Sequence, residues 1–285
     1  MTYRRFYFQL WNDKGIAHVR RRKCPLPMTA LESLPLAVIL WLTLAIVLAG
    51  FSQGALGFGF PFIATPVVAM VVDMRTAVIL ILLPTLATVA VTLLTSGPLG
   101  PVLKRFWMMP VYATLGALVG TWVFVAAPDA PYQLLLALSI VIYLNLDRFT
   151  RGEWPLIKRH ERAFAPIAGT VAGLFEGTAN VAAPPLIIYY LALGLGPALM
   201  VQAMQICFLV GKMSQFAVLT LHGGVTSAQW LTTLPLCAVA VAAGFAGVRV
   251  RNRIDATRFR HWVKRALALI AFALLAQYVY RWSSA

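Results

Sequence analysis

Long apolar runs follow one another along the chain from about residue 34 onward, with short clusters of Gly, Pro and Ser between them. A helix needs about 20 apolar residues to cross a hydrocarbon core of about 30 Å. The runs near or above that length are 34–51, 76–95, 106–127, 198–220, 230–248 and 266–280, and shorter ones lie at 58–72, 131–146, 163–175 and 179–193. Since none alternates apolar and polar residues as a membrane strand does, the pattern predicts an all-α integral membrane protein.

Composition and charge agree with this class and exclude others. Hydrophobic residues make up 60% of the chain and charged residues 12%, and the mean hydropathy is +0.80. The net charge is +15, but most Lys and Arg side chains lie in three segments, 1–23, 148–162 and 249–265. Such segments are typical of cytoplasmic loops that face anionic lipid. We therefore expect a lipid bilayer as a partner and no nucleic acid.

One junction between apolar runs is unusual. The stretch GFSQGALGFGFP at 50–61 contains four glycines and a proline, which weaken a helix. A shift of 123 residues places AGFSQGALGFGFPFI (49–63) over AGLFEGTANVAAPPLI (172–187). The matches are Ala49 with Ala172, Gly50 with Gly173, Gly54 with Gly177 and Pro61 with Pro184, and Gln53 falls on Glu176. Interrupted helices at matching places in two halves are typical of secondary transporters.

The duplication predicts a domain organisation. We expect a basic N-terminal tail at 1–29, a first repeat at 30–146, a basic cytoplasmic linker at 147–162 and a second repeat at 163–285. Five crossings in each half make the two repeats inverted, with their interrupted helices at the midplane. This topology puts the basic tail outside, against the positive-inside rule. Either 58–72 does not cross fully, or the tail is anomalous, or Met28 is the start.

A helix break at membrane depth must be buried in protein or line a cavity. Helix N-termini at such a break carry partial positive charge and free N–H groups, which favour an anion. The predicted substrate-binding residues are therefore Gln53, Gly54, Gly57, Gly59, Asn180, Gln205 and Lys212. Small residues that merely let helices pack closely are the alternative interpretation of the glycines.

Two ionisable residues, Glu176 and Lys212, lie deep inside apolar runs. A charge there is costly and usually faces a cavity or a partner. We interpret Lys212 as a positive charge for an anion, with Gln205 two turns away on the same face, and Glu176 as a proton-coupling group. The alternative is that Glu176 and Lys212 pair with each other and hold helices together.

Both copies of the motif, with the spacing between them, resemble the sulfite exporter TauE/SafE family of membrane permeases over about 34–280. The second copy departs from the glycine-rich pattern of the family at Ala179, Asn180, Ala182 and Ala183. The resemblance implies a multi-pass transporter in the cell inner membrane. Its substrates would be small anions such as sulfite, sulfonates including sulfoacetate, or related organic acids.

Other functions find less support in the residues. No HExxH motif and no paired acidic residues in a helix occur, so we expect no enzyme, no cofactor and no metal. A channel or carrier for cations or amino acids is the alternative function, although a cation site would favour several buried carboxylates. The expected partner is a small anionic substrate, and a homodimer is left open.

The inverted topology predicts that both basic loops face the cytoplasm. Single cysteines at positions 151 and 253, which replace Arg151 and Arg253, should react with a membrane-impermeant thiol reagent only after the membrane is opened. Labelling of either position from outside intact cells would contradict the inverted arrangement.

Overall fold

A computed structural model describes residues 36–128, 130–146, 154–251 and 256–283. The predicted tail, residues 147–153 of the linker, and positions 151 and 253 lie outside the described residues. The described part of the chain contains helices and no strand. In chain order the helices are α1 (Leu36–Leu56), α2 (Phe60–Ala69), α3 (Met74–Leu94), α4 (Gly100–Phe106), α5 (Met108–Ala126), α6 (Tyr132–Leu144), α7 (Pro155–Arg159), α8 (Glu161–Ala179), α9 (Ala183–Ala192), α10 (Pro197–Leu221), α11 (Ser227–Leu231), α12 (Leu234–Val250) and α13 (Ala256–Ser283).

Five segments of the described chain are long and apolar enough to cross a membrane. They are Val38–Leu56, Met74–Leu94, Met108–Ala126, Pro197–Leu221 and Ser227–Val250, the last comprising α11 and α12. Three further apolar helices, α2, α6 and α9, have only 10 to 13 residues. This confirms the prediction of an all-α protein with multiple apolar spans.

The glycine-rich stretch 50–61 is mostly helical. Helix α1 continues through Gln53 and Gly54 to Leu56, and the interruption is confined to residues 57–59. Gly57 and Gly59 adopt positive φ angles of 80° and 119°, which residues with a Cβ rarely adopt. The two glycines therefore end α1 and let the chain reverse.

Helix α2 folds back along α1 after this interruption. At its start, the backbone N–H of Phe60 donates a hydrogen bond to the side-chain Oε1 of Gln53. Near its end, the carbonyl of Val67 accepts a hydrogen bond from the indole N–H of Trp41, close to the start of α1. The interruption is thus the turn of a helical hairpin, with α2 antiparallel to α1.

The second half of the chain has helix ends at the same positions, 123 residues later. Helices α1 and α8 end at Leu56 and Ala179, and the ten-residue helices α2 and α9 begin at Phe60 and Ala183. Asn180, which falls on Gly57, has a φ of 63° and is the one non-glycine residue with positive φ in the described chain. An asparagine tolerates this left-handed conformation better than most residues do.

Each half sends one helix against the other half. Helix α1 packs on α12, and its counterpart α8 packs on α5, in both cases through small residues. A Cβ added to Gly54 would lie 2.0 Å from the carbonyl oxygen of Gly244, and one added to Gly173 would lie 2.1 Å from that of Ala113. Because lipid gives little hydrophobic drive for helix association, such close backbone packing is the main source of attraction between these helices.

Helices α3 and α10 lie between these two pairs. Helix α10 packs against α3, α5 and α8, and α3 also packs against α12. Of the candidate spans α3 is the most enclosed, with 72% of its most apolar stretch buried. The polar residues of α10 are therefore held in the interior. They lie next to residues 57–59, between α1 and α2, and residues 180–182, between α8 and α9, which we call the first and second chain reversals.

The close contact of α5 with α8 predicts that Gly116→Ala destabilises the fold. Its new Cβ would lie 2.3 Å from the carbonyl oxygen of Thr170, so the two backbones must separate. Overpacking of this kind costs about 1–3 kcal/mol, which a lower melting temperature of the purified protein would report.

The matched control is Gly100→Ala, because no atom lies within 4 Å of its added Cβ. An equal melting temperature for Gly116→Ala and the wild type would contradict the close packing of α5 on α8.

Candidate functional site

Gln53 closes the first chain reversal. Its Oε1 accepts from the N–H of Phe60 at 3.0 Å, and its Nε2 donates to the Thr92 hydroxyl at 3.3 Å. The side chain is 1% exposed. Gln53 thus satisfies an N-terminal donor of α2, which would otherwise be unpaired, and connects the reversal to α3.

The second chain reversal repeats this connection with different residues. Glu176 falls on Gln53 and Gln215 falls on Thr92, and in each half the bonded residues are 39 positions apart. The Gln215 side-chain amide donates to the backbone carbonyl of Glu176 at 3.3 Å. The two halves therefore share a contact between the end of a hairpin helix and the following long helix.

Lys212 differs in charge from its counterpart in the first half. It falls on Val89, which is equally buried but apolar. The Lys212 Nζ lies 2.5 Å from Oε1 of Glu176, and both side chains are at most 2% exposed. The ammonium group also donates to the side-chain carbonyls of Asn180 and, at 3.0 Å, Gln215. A buried ion pair thus lies at the second chain reversal.

The ion pair leaves one carboxylate oxygen unsatisfied. Oε2 of Glu176 is buried and has no hydrogen-bond partner among the described residues. The side-chain Oε1 of Gln205 is likewise buried and has no hydrogen-bond partner among the described residues. Because buried polar atoms in proteins are usually paired, these two oxygens are sites where a proton or a donor group of a ligand would be favoured.

Side chains of α10 and of Asn180, which lies between α8 and α9, connect the two chain reversals. Gln205 donates to the carbonyl oxygen of Gly57 in the first, while Lys212 donates to Asn180 in the second. Asn180 in turn donates to the hydroxyl of Thr65 on α2 at 2.9 Å. Gln205 and Lys212 are about 10 Å apart along α10, so the two reversals lie at neighbouring levels of the molecule.

The three predicted site glycines differ in their surroundings. Gly54 packs against α12 at the carbonyl of Gly244. Gly57 faces Val201 and the guanidinium of Arg251, while a Cβ on Gly59 would meet only the Ser52 hydroxyl, at 3.4 Å. The structure therefore brings Gly57 together with Gln205, whereas Gly54 lies in a helix contact.

Arg251 was not singled out by sequence reasoning, which counted it among the loop cations. Its side chain is partly buried, and its Nε donates to the carbonyl of Ala55 at 3.4 Å, in the last turn of α1. A cation is favoured there because the C-terminal end of a helix carries partial negative charge. Burial lowers the pKa of this guanidinium from its usual value. Thr65 and Thr92 were also missed, because isolated threonines in apolar runs give no signal.

Helix N-termini contribute fewer donors than the sequence suggested. Pro61 lies in the first turn of α2, and Pro184 and Pro185 lie in that of α9, and proline has no N–H. The N–H of Phe60 is taken by Gln53. The polar side chains around Lys212, rather than backbone amides, are therefore the main polar groups of the site.

The arrangement can hold one small charged group but shows no ligand set for a metal. No group of three His, Cys, Asp or Glu side chains is close enough together among the described residues to bind an ion. The site combines one ammonium, one carboxylate and neutral amides and hydroxyls. Such a set suits the exchange of an anion or a proton at a buried cation.

The family description "Sulfite exporter TauE/SafE" matches residues 42–278, which is most of the chain and includes both chain reversals. The chain belongs to the sulfite exporter TauE/SafE family. No curated protein and no solved structure matched the chain. Membership in the TauE/SafE family identifies the chain as a membrane transporter. The apolar helices independently indicate a multi-pass membrane protein.

The first chain reversal predicts that bulk at Gly57 or Gly59 abolishes transport. An Ala at either position must adopt a positive φ, and at Gly57 its Cβ would also lie 2.6 Å from the Val201 side chain. Each substitution should leave folded protein in the membrane, with the larger loss of thermal stability for Gly57→Ala.

Substrate flux and melting temperature, measured on the same preparations, test this prediction. Gly196→Ala is the control, since its added Cβ meets no atom within 4 Å. Full transport by both Gly57→Ala and Gly59→Ala would remove the first chain reversal from the transport path.

Proposed function

We propose that this chain is a secondary transporter of small anions across the inner (plasma) membrane, with Lys212 as the cation that binds the anion. Sulfite, sulfonates such as sulfoacetate, and related organic acids are the proposed substrates. The observation that carries the proposal is the fully buried Lys212, paired with Glu176 between two chain reversals. A buried charge of this kind is costly and usually marks a substrate path.

We further propose that the halves are inverted repeats that meet near the midplane. Gln205 and Lys212 lie four residues before and three residues after Leu209, the middle residue of α10. A 25-residue helix is about 37 Å long, enough to cross a bilayer, so its middle residue would lie near the midplane. The equivalent helix ends and the equivalent contacts of Gln53 and Glu176 support two repeats.

Two apolar grooves add a further correspondence. One is lined by α1 residues Trp41, Leu44, Ala45 and Leu48, and the other by their α8 counterparts Phe164, Ile167, Ala168 and Val171. Their volumes are about 380 and 320 Å³. Equivalent grooves beside equivalent hairpins favour a duplicated unit over a chance likeness of two small-residue helices.

Competition for the Lys212 ammonium gives the proposed mechanism. In the described state Glu176 neutralises Lys212. When Glu176 takes up a proton, its attraction to the ammonium weakens and an entering anion replaces the carboxylate as the partner of Lys212. Anion and proton then move together, and release of both restores the ion pair. A buried charge is never left without a partner in this cycle, which avoids a large energetic cost.

The neutral groups around the ion pair have supporting roles in this scheme. Asn180 and Gln215 hold the ammonium, and they remain donors or acceptors when the carboxylate leaves. Gln205 connects the same helix to the first chain reversal. Movement of α10 would therefore change contacts at both reversals, which suits alternating access in which one half moves against the other.

Flux measurements in proteoliposomes test the proposed substrate class. Proteoliposomes that contain the purified protein should take up or release sulfite or a sulfonate, and a proton gradient should accelerate this flux. The panel should include carboxylates, an amino acid and monovalent cations. Flux of cations or amino acids without any flux of anions would overturn the proposal in favour of the alternative function.

Substitution of Lys212 separates a transport role from a structural one. Lys212→Met should abolish anion flux because no cation remains to bind the anion, and it should destabilise the protein by about 3–5 kcal/mol because Glu176 loses its partner. Glu176→Gln added to Lys212→Met removes the unpaired carboxylate and should restore the melting temperature but not the flux. Recovery of anion flux in this double variant would show that the pair is only structural. Met213→Ala is the control, since Met213 is the exposed neighbour on α10.

Substitution of Glu176 tests coupling separately. Glu176→Gln should retain anion binding but lose the dependence of flux on the proton gradient, because glutamine cannot take up a proton. Unchanged proton dependence in this variant would exclude Glu176 as the coupling group and leave the anion site at Lys212 intact.

A further inference from the structure

A basic pocket lies at one end of the molecule, outside the site around Lys212. It has a volume of about 810 Å³ and lies between the α4–α5 junction and the start of α8. Its basic lining residues are Lys104, Arg105, Lys158, Arg159 and Arg162. Glu161, the one carboxylate among its described lining residues, pairs with Arg105 at 3.1 Å. Four cations of the lining are thus left to face an open pocket.

An apolar groove begins where this pocket ends. Ile157 on α7 and Phe164 on α8 line the groove, while their chain neighbours Lys158 and Ala163 line the pocket. Along α8 the groove continues over Ile167, Ala168, Val171 and Phe175, whose spacing puts them on one face of the helix. The hydroxyl of Tyr189, which lines the groove, donates to the backbone carbonyl of Glu161 in the pocket.

The size and direction of the groove suit a hydrocarbon chain. From Phe164 to Phe175 the α8 face is about 16 Å long, close to half of a bilayer's hydrocarbon core. Ile167 is 62% exposed, so this face is open at the surface of the described structure. Trp107, 56% exposed, lies at the rim of the basic pocket, and tryptophan is typical of the membrane–water interface.

We propose that the basic pocket and the α8 groove together bind one anionic phospholipid. The phosphate group would lie among Lys158, Arg159 and Arg162, and one acyl chain would lie along the apolar face of α8. Phosphate attracts clustered Lys and Arg side chains at a membrane surface, and the groove supplies an apolar surface for the chain. A soluble anion would use the pocket alone and would leave the adjoining groove without a function.

Native mass spectrometry of the full chain tests this proposal. Protein in detergent micelles is given equal amounts of phosphatidylglycerol and phosphatidylcholine with identical acyl chains. We expect preferential retention of phosphatidylglycerol, reduced about fivefold by Arg162→Gln and further by Lys158→Gln added to it. Arg249→Gln is the charge-matched control, since Arg249 is exposed but does not line the pocket, and it should leave retention unchanged.

A second pair of variants tests the groove. Ile167→Asn should lower phosphatidylglycerol retention about threefold or more, because it places an amide against the acyl chain. Leu44→Asn changes the equivalent position on α1 and should not lower it. Equal retention of both lipids, an equal loss with Arg249→Gln, or displacement by an equal concentration of glycerol phosphate would each overturn the proposal.

Discussion

The buried ion pair of Lys212 and Glu176 is the constraint to which the interior of this protein is fitted. Neither charge is stable alone in a low-dielectric interior, so each needs the other and the amides around them. Asn180 and Gln215 supply those amides, and Asn180 is held by the end of α8 and by Thr65 on α2. The path of the chain at the second reversal therefore depends on the same contacts that keep the ammonium satisfied.

The hairpin shape of each reversal follows from the same need for satisfied polar groups. A chain that turns inside an apolar environment exposes N–H and C=O groups that water cannot reach. At the first reversal Gln53 and Gln205 take up the N–H of Phe60 and the carbonyl of Gly57. The small residues of α1 and α8 then let the hairpins pack closely on α12 and α5, with backbone against backbone. Polar satisfaction and close packing thus act on the same helices.

Much of this architecture was predictable from the sequence because membrane proteins obey few and strict rules. The length of the apolar runs predicts the helices. The glycine cluster predicts the position of the first reversal, where Gly57 and Gly59 adopt positive φ angles. The shift of 123 residues anticipated the equal helix ends at Leu56 and Ala179. The fold back of α2 along α1 could not be predicted, since it depends on the tertiary contact of Trp41 with Val67.

The candidate site was predictable only where a residue type is rare in its surroundings. Lys212 and Glu176 stand out in apolar runs, and the structure pairs them, as one of the two interpretations anticipated. Thr65 and Thr92 are common residues of apolar helices and gave no signal, although they bond to Asn180 and Gln53. Arg251 was hidden among loop cations, because nothing in its neighbours indicates that it reaches back to α1.

The difference between the two halves is as informative as their likeness. Gln53 with Thr92, and Glu176 with Gln215, occupy equivalent places and make comparable contacts. Only the second half adds charge, because Lys212 takes the place of Val89. A buried ion pair carries a desolvation cost wherever it lies in the interior. With one neutral and one charged reversal this cost arises once, and in the proposed mechanism a single ammonium remains for which the carboxylate of Glu176 and an anion compete.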